Sequence, residues 1–136
     1  MRCSMRCPIL RLALLLPLAC GCELLQTVEL ASRDERLPSP AFVVSPPEDE
    51  GPRPRYHTVR VVDEDGRTVW HLRARPFSEE NAASRLVYGE PLARFDEVVP
   101  ATPLEVGGSY QLSVHGRRLG TTRFLVVEDG SVRAAR

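Results

Sequence analysis

The sequence predicts an all-β fold, a small antiparallel sandwich, and three observations carry that expectation. Two alternating runs, Tyr56–Val62 and Arg67–Ala74, flank Asp65-Gly66, a dipeptide suited to a two-residue hairpin turn. Further short runs rich in β-branched and aromatic residues follow, with turn signals between them. Apolar residues nowhere keep a helical spacing over the length of a stable helix.

Taken in chain order, Arg2, Arg6 and Arg11 make a positive start and Leu12–Ala19 an uncharged stretch of eight residues, the pattern of a secretory signal. As a helix that stretch would cover about 12 Å, far short of a hydrocarbon core of about 30 Å, so it is not a spanning segment. Cys3, Cys7, Cys20 and Cys22 are all the cysteines of the chain. A zinc site is not expected from them, because the greasy run Pro8–Ala19 separates the pairs and only Gly21 lies between Cys20 and Cys22.

Leu18-Ala19-Cys20-Gly21-Cys22 resembles the lipobox of bacterial lipoproteins. The resemblance implies a signal peptide over 1–21, cleavage before Cys22, and covalent diacylglycerol and acyl lipid on that cysteine. Gly21 and Ala19 supply the small residues just before Cys22 and three before it, whereas Pro17 holds the upstream position for Cys20, the runner-up. Ala19 stands where the family usually has Leu. Glu23, rather than Asp, follows the cysteine, which by the same resemblance favours the outer membrane over the inner. Two acyl chains suffice for stable anchoring, so the expected location is the cell envelope, held by lipid. The mature chain would keep no cysteine but Cys22 and so form no internal disulfide.

Residues 22–55 read as a lipidated N-terminus and a proline-rich tether, or a first irregular strand lying along the domain. Glu23–Leu37 is either a helical stub or an edge strand. Pro38, Pro40, Pro46, Pro47, Pro52 and Pro54 then punctuate the segment, with Ala41–Val44 as a candidate edge strand inside it. The folded domain is expected over 56–136. With Asp65-Gly66 as the loop, Val61 faces Trp70, Val59 faces Leu72 and His57 faces Ala74, which puts the apolar residues on one face. Leu86–Tyr88, Tyr110–Val114, Thr122–Val127 and Ser131–Ala134 are further strands, the last two joined through Asp129-Gly130. The set Tyr110, Leu112 and Val114 is expected to meet the Trp70 set across the sandwich.

From Leu104 through Gly107 and Tyr110 to Gly120 the chain resembles immunoglobulin and fibronectin type III sandwiches, in the Leu, turn glycine, Tyr and alternating strand of a tyrosine corner. Val106-Gly107 replaces the usual Pro-Gly, and the wide separation of Trp70 from Tyr88 departs from the common fibronectin spacing. The phrase Leu86–Pro91, with Pro103-Leu104 and the Tyr110 strand, is also similar to small, mostly uncharacterised bacterial lipoproteins. That likeness carries no activity with it.

Composition excludes a strongly basic nucleic-acid protein, since 18 basic residues, all Arg, balance 18 acids. Three of those Arg precede Cys22 and none of the acids does, so the mature chain would carry a net charge of −3. No metal site is expected: the hairpin register places His57 and His71 on opposite faces, and His115 sits at the outward end of its strand. Asp63-Glu64-Asp65-Gly66 begins like a calcium loop, but Arg67 and Ala74 occupy its fifth and twelfth positions. Gly107-Gly108-Ser109 and Ser78-Glu79-Glu80 lack the strand-to-helix setting of a nucleophile elbow or phosphate loop, so no catalytic residue is assigned and no cofactor is expected. Tyr56, Arg60, His71, Arg73 and Arg75 fall on the outer hairpin face, where Arg with an aromatic can grip phosphate or carboxylate. The expected function is a non-enzymatic, membrane-anchored interaction module with a protein or glycan partner in the envelope. An accessory of an envelope secretion or transport machine, and a small hydrolase or inhibitor, are the alternatives.

Overall fold

A computed structural model of the chain describes residues 25–76 and 83–136. They form nine strands and no helix: β1 (Thr27–Leu30), β2 (Ala41–Ser45), β3 (Tyr56–Asp63), β4 (Thr68–Ala74), β5 (Arg85–Val87), β6 (Phe95–Val99), β7 (Ser109–Gly116), β8 (Leu119–Val126) and β9 (Val132–Ala134). The strands make a three-stranded sheet, β1-β2-β5, and a six-stranded sheet, β6-β4-β3-β7-β8-β9. Every pairing is antiparallel. The two sheets enclose one core, so the fold is a small all-β sandwich.

The β3–β4 hairpin pairs Val61 with Trp70 and Val59 with Leu72, as the alternation dictates. Its loop differs. Only Gly66 takes a positive φ, 79°, and Asp63 N–H donates to Arg67 O at 2.9 Å, which closes a three-residue loop, Glu64-Asp65-Gly66. The cause is Asp63, whose carboxylate accepts from the N–H groups of Asp65 and Arg67 at 3.0 and 2.9 Å and so fixes an Asx-type turn. Val62 then faces Thr68, and the added residue Val69 restores the Val61–Trp70 register.

A second irregularity corrects the outer-face assignment. Tyr56 pairs with Gly116 and Thr58 with His115, so His57 is an extra residue in β3. Across such a bulge the side-chain alternation is reset. Tyr56 therefore turns inward and is fully buried, whereas His57, expected beside Val59 and Val61, is exposed. Tyr56 Oη donates to Ala83 O at 2.6 Å, and its ring lies 5.6 Å from that of Phe95. Gly116 is what allows the close approach, since a Cβ there would sit 2.2 Å from Arg55 O.

The proline-rich segment belongs to the sandwich rather than forming a tether. β2 lies in the middle of the small sheet, with Phe42 facing Leu30 on one side and Leu86 on the other. Phe42 and Val44 are 0% and 1% exposed, and the Phe42 ring lies 5.1 Å from Phe124 of the opposite sheet. Pro40 and Pro46 bracket the strand without entering it, which spares its ladder hydrogen bonds. Glu23–Leu37 resolves, over its described part, as the edge strand β1 and an irregular return.

The two apolar sets of the large sheet lie side by side. β3 pairs directly with β7, placing Val59 against Val114 and Val61 against Leu112, so the expected meeting of these sets across the sandwich does not occur. Val28, Phe42, Val44 and Leu86 of the small sheet cover them instead. Tyr88 ties the layers together by donating its Oη to Thr102 O at 2.6 Å, close to β4; burial pushes its phenol up to about 12. Tyr110 Oη accepts from Glu105 N–H at 2.9 Å and holds the turn before β7.

Candidate functional site

The outer face of the six-stranded sheet carries the candidate residues in two cross-strand rows. His71, Arg60, Ser113 and Thr121 are consecutive partners across β4, β3, β7 and β8. The next row runs Arg73, Thr58, His115 and Leu119. Arg60, His71 and Arg73 are thus brought together. Tyr56 is removed by the bulge, and Arg75, although exposed, is engaged by Asp96 at 2.8 Å.

Neighbouring groups set what the trio can do. Arg60 Nε donates to Thr68 Oγ1 at 2.8 Å, which holds the guanidinium along the strand. Asp96 lies opposite Arg73 in the β4–β6 ladder. Partial burial, and then the charges of Arg60 and Arg73, push the His71 imidazole below its ordinary 6.5. At neutral pH the trio therefore presents two guanidinium groups and a neutral ring, a shape suited to a carboxylate or phosphate.

A depressed histidine is a pH lever on stability. Below about pH 6.5 the unfolded chain takes up a proton at His71 that the folded chain resists, so stability present above that pH is lost as the pH falls. Asp63 and Asp129 are both held below 3.8, by hydrogen bonds from Arg67 and Ser131 respectively, so their contributions fade only in more acid solution. Urea midpoints between about pH 7.5 and pH 5 should fall less steeply in His71→Gln than in the wild type. An unchanged slope would remove His71 as the cause.

The same bulge that buries Tyr56 brings His57 onto the outer face beside His115, with ring centroids 5.3 Å apart. His57 Nδ1 hydrogen-bonds with Thr58 Oγ1 at 2.9 Å. The alternation of β3 had kept these rings apart, and no residue type in Tyr56–Thr58 signals the extra residue. Among the described residues, no group of three or more His, Cys, Asp or Glu converges as a metal site would require. The Asp63 carboxylate, first of the calcium-like sequence, is taken up by the hairpin turn and by Arg67 at 3.0 Å.

A groove of about 600 Å³ opens between β1 of one sheet and β8 and β9 of the other. Val28, Leu30, Ala31, Thr122, Val132 and Ala134 line it, with Glu29, Arg33 and Arg133 at its rim. It offers apolar contact, and Ser32, which also lines it, donates its Oγ to Glu35 Oε1 at 3.0 Å. Cys22 and Cys20, the candidate lipid sites, and Ser78-Glu79-Glu80 lie outside the described residues. No protein-family model, no curated protein and no solved structure matches this chain.

Proposed function

We propose that the protein is a non-enzymatic, lipid-anchored interaction module of the bacterial cell envelope. Lipid on Cys22 holds the sandwich at the outer membrane, and the Arg60, His71 and Arg73 face meets an anionic protein or glycan partner. The observation that carries this reading is the convergence of Arg60, His71 and Arg73 on one sheet face, in a chain that opens with the lipobox-like Leu18–Cys22. Gln26, four residues after Cys22, is already buried and hydrogen-bonded into the sandwich. The domain therefore begins within a few residues of the proposed anchor.

Metabolic labelling with a fatty-acid analogue tests the anchor. Label should disappear in Cys22→Ala and persist in Cys20→Ala. The reverse would move the site to Cys20, and label surviving in both would sink the lipoprotein reading. In the same cells, a photo-crosslinking residue at Ser113, in the first of the two rows, should capture a discrete partner that is lost in Arg60→Ala/Arg73→Ala. Capture insensitive to those arginines would place the contact elsewhere.

A further inference from the structure

We infer that one end of the sandwich, framed by residues 46–55 and by the β7–β8 turn, rests on the anionic phospholipid surface to which the chain is tethered. The inference rests on the proposed lipid attachment at Cys22. Gln26 fixes where the chain enters: its Nε2 donates to Arg118 O at 2.9 Å and reaches Arg55 O at 3.4 Å. Leu25 is only three residue steps from Cys22, and even fully extended chain would span only about 11 Å at about 3.6 Å per residue. A leash that short keeps this end of the domain within reach of the headgroups.

The residues at that end suit such contact. Leu25 and Leu119 are 61% and 45% exposed, whereas the other described leucines are buried or half-buried. Arg53, Arg55 and Arg117 are exposed around them, whereas Arg118 is held by Glu50 at 3.1 Å. Asp49 and Glu50 share a crevice with Arg55 and Arg117, so the arginines of these two segments exceed the carboxylates by only one. Charge alone would not bring the domain down. The leash does that, and the leucines and guanidinium groups set which way the domain lies, through apolar insertion and headgroup contact.

The far end adds a repulsive half to the argument. The strands of the large sheet run from this end to the loops carrying Asp63, Glu64, Asp65, Glu105, Glu128 and Asp129, with Arg36 and Arg67 in opposition. An anionic surface would push that end away. The sandwich would then stand with its strands rising from the membrane, and the outer sheet face with Arg60 and Arg73 would be turned sideways, open to a partner.

The test uses the mature lipidated protein in phosphatidylethanolamine–phosphatidylglycerol vesicles. Because the thiol of Cys22 is consumed by lipid, a cysteine introduced as His115→Cys or Glu105→Cys can carry a fluorophore alone. Lipids with a nitroxide on the headgroup should quench the label at 115 several-fold more strongly than the label at 105. The contrast should shrink in vesicles of phosphatidylcholine alone, and in the variant Leu25→Ser/Leu119→Ser/Arg53→Ser/Arg55→Ser/Arg117→Ser. Equal or reversed quenching overturns the orientation, and a contrast indifferent to both changes overturns the role of the patch. A protein that fails to float with the vesicles and lacks acyl mass removes the Cys22 reading itself, and with it the premise, which separates that failure from the others.

Discussion

Trp70→Ala is expected to lower the unfolding free energy of residues 22–136, prepared as Cys22→Ala, by about 3 to 5 kcal/mol. Trp70 is 1% exposed, meets Tyr88 edge-on at 5.2 Å, and leaves a cavity that two hydrogen-bonded sheets cannot close. Against a total of about 5 to 15 kcal/mol, such a loss approaches collapse. Trp70→Phe should cost less than half as much. It keeps an aromatic ring and removes an indole N–H that has no hydrogen-bond partner among the described residues. Arg60→Ala and Arg73→Ala, on the exposed face, should each change stability by no more than about 0.5 kcal/mol. Urea unfolding decides the matter. Fragile arginine variants beside a robust Trp70→Ala would mean that the hairpin faces are inverted.

Phe42→Ala should cost a similar amount, about 3 to 5 kcal/mol, and it separates two pictures of the N-terminal third. In a tether this substitution would be worth less than about 0.5 kcal/mol. In the sandwich Phe42 is completely buried, sits on the middle strand of the small sheet and packs on Phe124. Unfolding of the same chain supplies the measurement. A near-silent Phe42→Ala would return residues 41–45 to the role of tether.

The contrast between those two residues shows what was legible in the sequence. Trp70 sits in an uninterrupted period-two pattern whose cross-strand partners, Val61 and Val59, could be assigned from the turn alone. A wrong loop length did no harm there, because the bulge at Val69 offsets it. Phe42 sits in a five-residue strand bracketed by prolines, and a local reading of composition favours extended chain. Only the cover it provides for β8 makes it core. β6 was missed for a related reason: Asp96 and Glu97 interrupt Phe95–Val99, and an extra residue at Val98 breaks its alternation. In the candidate site, Arg60, His71 and Arg73 were placed correctly because they lie on the regular side of the β3 bulge. Tyr56 lies beyond it, and one inserted residue exchanged its environment with that of His57.

The lengths of the outermost strands bear on a different matter, the fate of many copies crowded together. Crowded copies meet often, and a long free strand edge would let them zip together into fibres. Here β1 has four residues, while β5 and β9 have three each. β6 has five, with two carboxylates and a bulge among them. Such edges offer an incoming strand few consecutive backbone partners. The irregularity that hid β6 from a reading of the sequence therefore also protects against aggregation, keeping densely packed copies separate.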